Sequence, residues 1–173
     1  MAFATNGSAK IFYEAFGHNS DPTLVLVNGL GSQCINYRVA WCERFVAKGF
    51  QVVRMDNRDV GLSTHFSDAP PNEAAYSLSD MAADVIAVLD AVGVEQAHVM
   101  GLSMGGMIVQ TLAIEHAGRL CSVTSVMSTT GEPDVGTSTP EAQARLFGPS
   151  ATDRDSAIAN HLEGLRIWGS PGK

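Results

Sequence analysis

Gly101-Leu102-Ser103-Met104-Gly105 lies between a short apolar run, Ala97-His98-Val99-Met100, and a stretch from Met104 to His116 with helical apolar spacing. The five residues match G-x-S-x-G, and a strand before with a helix after is the context this pattern requires. On such a turn the serine hydroxyl is pushed out of the sheet. The backbone amide of the next residue, at a helix N-terminus, then faces an oxygen that becomes negative during acyl transfer. The stretch reads as a nucleophile elbow, and it makes an α/β chain the expectation.

Upstream of it, Asn6-Gly7 sits between two short segments and reads as a tight hairpin turn, the second segment running from Lys10 to Phe16. Thr23 to Asn28 is a continuous apolar run, as expected of a strand covered on both faces, and it leads into Gly29-Leu30-Gly31. Tyr37 to Lys48 has helical spacing with Gly49 as its stop, and Gln51 to Met55 reads as a second buried strand. Asp56 to Ser63 is a polar, glycine-bearing turn, and Pro70-Pro71 marks the loop after it. Ser77-Leu78-Ser79-Asp80 is a capping-box pattern opening a helix that Gly93 ends. Met81, Val85, Leu89 and Val92 are expected on its core face, with Asp80, Asp84 and Asp90 away from it. Downstream of the elbow helix, Leu120 to Met127 reads as the last strand, expected to have neighbours in a full sheet and left here as an apolar edge open to pairing.

Strands alternating with helical stretches point to a mostly parallel α/β sheet of about six strands with an antiparallel hairpin at its start. From Ser128 the character changes. Thr-, Gly- and Pro-rich sequence gives way to two short helical candidates, Glu141 to Phe147 and Asp153 to Arg166. The expected organisation is a core over 1–128 and the start of a helical lid over 129–173.

The 173 residues fit one domain, and 45% hydrophobic with 17% charged content is ordinary for a globular chain. A net charge of −7 without a Lys/Arg cluster argues against nucleic acid and anionic lipid as partners. No apolar stretch is long enough to span a bilayer, and the first residues lack the basic and apolar segments of a signal peptide. The three cysteines, Cys34, Cys42 and Cys121, are too few and scattered for a disulfide framework or a zinc site. They are expected to be packing residues in a reduced, cytoplasmic setting. Met100, Met104 and Met107 are likewise expected to pack in the core or line a pocket. No metal or cofactor is implied, and the oligomeric state is left open.

Two elements now stand in order, the Asn28-Gly29-Leu30-Gly31 strand exit and the Ser103 turn, with Asp56-Asn57-Arg58-Asp59-Val60-Gly61-Leu62-Ser63 between them. The last resembles the D-x-R-G-x-G-x-S turn of many α/β-hydrolases, and Ala97 to Gly106 resembles their nucleophile elbow. Over residues 8–128 the chain resembles the N-terminal part of that family, and within it the esterase/lipase-like bacterial proteins related to aclacinomycin methylesterase. The resemblance implies Ser103 as nucleophile, with the backbone amides of Met104 and Leu30 as the oxyanion hole. Asn28, Gly29, Gly31, Gly101 and Gly105 would support the site. Gly29 and Gly31 let backbone approach a substrate oxygen closely, and loss of one such donor typically costs about 3 kcal/mol of transition-state stabilisation. Asn28 stands where a histidine is common in the family, and it can orient the loop by hydrogen bonding. Asp56 and Arg58 are expected to stabilise their turn.

A serine hydroxyl needs a base, and the family supplies acid and then histidine after the serine in chain order. Of the five histidines, His98 lies roughly 16 Å from Ser103 along an extended strand. His116 lies roughly 20 Å down the following helix, and His18 sits at the other end of the sheet. His65 and His161 are the two geometrically possible substitutes, and Glu132 and Asp134 follow the last expected strand. At about 30 residues per βα repeat, eight strands need roughly 240 residues. The expectation is therefore part of a serine hydrolase acting on a small-molecule carboxylic ester, inactive by itself for want of acid and base. The alternatives are a non-catalytic binding protein of the same fold, and carbon–carbon hydrolase or cofactor-free haloperoxidase chemistry on the same elbow.

Overall fold

The computed structural model describes residues 2–66, 75–132, 134–149 and 151–169. The loop expected at Pro70-Pro71 lies outside the described residues. Two compact units are present, 1–131 and 132–173.

The first unit is built on a six-stranded sheet. Strands β1 (Ala2–Asn6) and β2 (Ala9–Phe16) form the antiparallel hairpin, with Asn6 still paired to Ala9. The turn is therefore Gly7-Ser8, one residue later than expected, because the positive φ of 58° falls on Gly7. Strands β3 (Thr23–Val27), β4 (Gln51–Met55), β5 (Ala97–Leu102) and β6 (Leu120–Val126) complete the sheet in the order β1-β2-β4-β3-β5-β6. β3 pairs in parallel with both β4 and β5, and β5 with β6; β2 joins β4 antiparallel.

Every residue of β3 and β4 is buried; the polar ones among them are bonded, Thr23 to Gln51 and Arg54 to Glu14. Alternation along β3 feeds two cores. Val25 and Val27 join Val53, Met55 and Val99 against helices α2 (Leu78–Val92) and α3 (Met104–Glu115). Leu24, Leu26 and Val52 face the other way, onto Tyr37 and onto Cys42 of helix α1 (Val39–Val46). This helix is shorter than the expected Tyr37–Lys48, since Arg38, its N-cap, has a non-helical ψ of 145° and Ala47 is its C-cap. β6 is the outer strand, and its residues 121–125 are exposed. Cys34 and Cys42 are buried packing residues as expected; Cys121 is exposed because it lies on that edge.

Helix α2 begins at the expected capping box, where Ser77 Oγ accepts from the Asp80 amide and the Asp80 carboxylate accepts from the Ser77 amide. The Ser77 amide and hydroxyl, both donating to the Asp80 carboxylate, hold it below the ordinary carboxylate range. Met81, Val85 and Leu89 are buried as expected. Asp84 is not turned outward: it is 1% exposed. It stands three residues after Met81 and four before Val88, which puts it on the core-facing stripe. Its carboxylate takes a forked pair of bonds from Arg58, 2.5 Å from Nε and 2.8 Å from the terminal nitrogen, and a third from Asn6 Nδ2 at 2.8 Å. The Arg58 guanidinium lies 5.4 Å and 5.5 Å from the Phe66 and Tyr76 ring centres. The carboxylate holds Arg58 above its ordinary pKa. One ion pair thus ties the loop after β4 to α2 and to the hairpin.

Three glycines around the β5–α3 turn are there for space. A Cβ at Gly101 would collide with the Gly105 carbonyl, and one at Gly105 with the carbonyls of Val27 and Asn28. One at Gly106 would strike the side chains of Ser128 and Ser125. The second unit holds α4 (Pro140–Leu146), capped by Thr139, and α5 (Arg154–Trp168), opened by an Asp153/Ser156 capping box. Arg145 donates to the Asn160 carbonyl at 2.7 Å, joining these two helices.

Asp84→Ala leaves a buried guanidinium unpaired and is expected to destabilise the first unit by about 3–5 kcal/mol. Asp90→Ala, which removes the exposed Arg119 pair, should lower stability by less than about 1 kcal/mol. Urea titration of both variants checks the contrast. Gly105→Ala forces backbone apart and should lower stability by about 3 kcal/mol. Gly118→Ala, where an added Cβ meets nothing within 4 Å, should stay within about 0.5 kcal/mol of wild type in the same titration.

Candidate active site

β5 delivers Ser103 to the carboxyl end of the sheet, and the serine is the residue between strand and helix α3. Its backbone has φ 55° and ψ −119°, a conformation rare for a residue with a side chain and worth of order 1–3 kcal/mol of strain. Neighbours hold it there. The Ser103 amide donates to the Val126 carbonyl of β6 at 3.0 Å, and its carbonyl accepts from the amides of Gly106 (2.8 Å) and Met107 (3.3 Å). The residue is half-buried, and no described residue hydrogen-bonds its hydroxyl.

The strand exit of β3 lies directly alongside. A Cβ on Gly29 would come within 3.1 Å of Ser103 Cβ and 3.6 Å of Ser103 Oγ. Gly29 therefore lies against the serine, and a larger residue would crowd Ser103 Cβ and the Leu102 carbonyl, at 3.1 Å and 3.2 Å. Gly31 has φ 66°, and the Ser32 amide donates to the Gly29 carbonyl at 3.2 Å, so the loop closes as a tight turn. Across the planar Gly29–Leu30 peptide the N–H opposes the C=O. With the carbonyl directed into the turn, the Leu30 amide is directed out of it. The Leu30 side chain is itself exposed. Met104 is half-buried and packs on the core that contains Ile108 and Leu112. Its amide belongs to the first turn of α3, where N–H groups have no partner within the helix.

A second loop grips the first. Asp56, at the exit of β4, accepts the Cys34 amide on one oxygen at 2.6 Å and the Leu62 amide on the other at 2.9 Å. Its carbonyl accepts from Ser63 Oγ at 2.6 Å. The expected turn-stabilising role of Asp56 is found, together with a reach across to the β3 loop that the sequence reading missed. Asn57 Nδ2 donates to the Asn28 carbonyl at 2.9 Å, and Asn28 Nδ2 to the Gln33 carbonyl at 3.0 Å. Tyr37 Oη donates to the Val27 carbonyl at 3.1 Å. Asn28, Asp56 and Asn57 are all buried. Burial, with the Asp56 charge beside it, pushes the Cys34 thiol up to about 12, so this cysteine is no nucleophile at neutral pH.

None of the described histidines is bonded to Ser103. His98 bonds Ser122 Oγ, His18 bonds Ser20 Oγ, and His116 caps the end of α3. His65 Nε2 lies 3.3 Å from the Gly61 carbonyl, and His161 belongs to the second unit. Among the described residues, neither of two surface cavities has Ser103 in its lining. One of about 330 Å³ borders Gln33, Cys34, Asp56 and Leu62; another of about 470 Å³ borders Asp90, Val94, Glu95 and Arg119. Among the described residues no three His, Cys, Asp or Glu side chains are grouped to hold a metal ion. No helix among them is long and apolar enough to cross a membrane.

A family model described as the alpha/beta hydrolase fold matches residues 22–160. The chain is 35% identical over 125 residues to rhodomycin D methylesterase DnrP of Streptomyces peucetius, covering 71% of this chain and 40% of the relative. It is 30% identical over 152 residues to epoxide hydrolase B of Mycobacterium tuberculosis, covering 85% of this chain and 38% of that one. A hydrolase of Pseudomonas aeruginosa PA01 of known crystal structure superposes with a TM-score of 0.69 at 27% identity, over 98% of this chain and 62% of its own. The chain thus spans about 40% of the length of these curated relatives. With a mostly parallel sheet, a serine at the strand-to-helix turn and a family match over most of its length, this chain belongs to the α/β-hydrolase family.

Proposed function

We propose that Ser103 is the nucleophile of a serine hydrolase acting on carboxylic esters of small molecules through an acyl-enzyme. The observation that carries this reading is the strained Ser103 backbone at the end of β5, with a hydroxyl beside Gly29 that no described residue bonds. Strain of that kind persists only where surrounding packing imposes it, and it gathers at functional sites. The similarity to a protein named a methylesterase supports the ester class.

In the proposed reaction Ser103 Oγ attacks the ester carbonyl carbon while its proton passes to a base. The carbonyl oxygen becomes negative and is met by the amides of Met104 and Leu30. The tetrahedral adduct collapses with loss of the alcohol, which takes the proton back from the base. Water then hydrolyses the acyl-serine by the same steps, restoring the hydroxyl. All of these groups belong to the protein, so the scheme calls for no cofactor or metal. We place the base and its acid partner in the part of the longer relatives that this chain does not span, and residues 129–173 at the start of a helical lid. On this reading residues 1–173 alone turn over no ester.

An alkyl fluorophosphonate, applied to the protein as its source makes it, is expected to modify one peptide, the one carrying Ser103. Ser103→Ala should abolish the modification. Modification that persists in the variant would overturn the assignment, and a wild-type protein left unmodified would favour a non-catalytic binding role.

A further inference from the structure

The Asn28 carbonyl is the hinge between the two loops and the elbow. On one side it meets the Cα of Gly105, where even a methyl group would collide with it. On the other it accepts the buried Asn57 amide at 2.9 Å. The next peptide leads to Gly29, which lies against Ser103. A carbonyl in this place has one route to satisfaction other than Asn57, a water molecule, and that water would have to enter a region where Asn57 itself is 2% exposed.

We infer that Asn57 is a positioning residue: its amide holds the Asn28 carbonyl against the α3 turn, and so sets where the Gly29–Leu30 peptide stands relative to Ser103. The inference rests on the proposal that Leu30 offers an oxyanion amide, and it concerns a residue that never touches substrate. Asp56 grips the exit of the same loop through the Cys34 amide, and Asn28 Nδ2 closes the loop onto Gln33. Asn57 grips its entry, the end nearer to Ser103. Without that bond the loop keeps its distal anchor at the Cys34 amide, while its internal turn, Ser32 to Gly29, opens more often. It gains freedom to pivot at Asn28. Displacement of a catalytic donor by about 1 Å is enough to slow a reaction by about 100-fold. Asn57 therefore acts on the maximal rate of the chemical step and leaves ground-state binding in place.

Two variants separate this role from ordinary stabilisation. Asn57→Leu keeps the branched shape, with added bulk, and removes the donor; Asn57→Ala opens space for water to satisfy the carbonyl. Site-resolved amide hydrogen exchange on residues 1–173 reads the loop without any need for activity. The Ser32 amide is expected to exchange at least about 10-fold faster in both variants, while the Val99 amide of β5 changes by less than about twofold. Fluorophosphonate modification of Ser103, in the protein as its source makes it, reads the site. Its limiting rate should fall about 10–100-fold with the half-saturating probe concentration unchanged. Equal acceleration of Ser32 and Val99, or no acceleration at Ser32, would overturn the inference, as would a rise in half-saturating concentration at an unchanged limiting rate. A wild-type protein that the probe leaves unmodified overturns the serine assignment instead, and the exchange result then decides alone whether Asn57 positions the loop.

Discussion

The contact between the Cα of Gly105 and the carbonyls of Val27 and Asn28 is the constraint from which the site follows. Two stretches of backbone at this separation leave no room for a side chain, so the first turn of α3 is locked to the end of β3. Gly101 beneath the Gly105 carbonyl and Gly106 beside Ser128 extend the same close packing to either side. Ser103 has no freedom left in this arrangement. Its backbone is set by packing and by the bond to Val126, and its side chain projects beside Gly29 with no described partner. The neighbouring loops then need only modest polar contacts to complete the arrangement.

Much of this was legible beforehand, for physical reasons that differ from element to element. β3 and β4 announced themselves because a strand covered on both faces has no alternation to hide in, and all their residues are buried. The start of α2 was legible because Ser77 and Asp80 carry a capping box whose chemistry is wholly local. The turn at Ser103 was legible because the glycines that sterics demand fall in one short pattern, although only Gly101 meets its own turn, at Gly105, while Gly105 meets the end of β3. Of the loop residues named from the resemblance, Gly29 stands next to Ser103 and Asn28 next to Gly105.

What escaped depends on partners distant in sequence. Asp84 looked like one of three outward aspartates, yet it faces inward because Arg58 and Asn6, 26 and 78 residues away, supply the bonds that make burial tolerable. Helical periodicity alone placed it on the stripe; an assumption about charge took it off. Asn57 was equally opaque. An asparagine in a polar turn has several local partners available, and nothing in the turn itself points to a carbonyl 29 residues upstream. The boundaries of α1 were blurred for a different reason: apolar spacing runs past the last helical turn at either end, and it does not show that Arg38 is extended and Ala47 closes the helix.

The φ of 55° at Ser103 sets two demands on this residue in opposition. Glycine would occupy the same torsion angles with no Cβ to strain, so the most comfortable residue for the fold is one that carries no hydroxyl. Any drift toward greater stability at this position therefore runs away from chemistry, and a serine here is a standing charge against the folded state. The ion pair of Arg58 with Asp84 and the tight glycine seam supply rigidity elsewhere in the same unit, which lets so strained a residue be held at all.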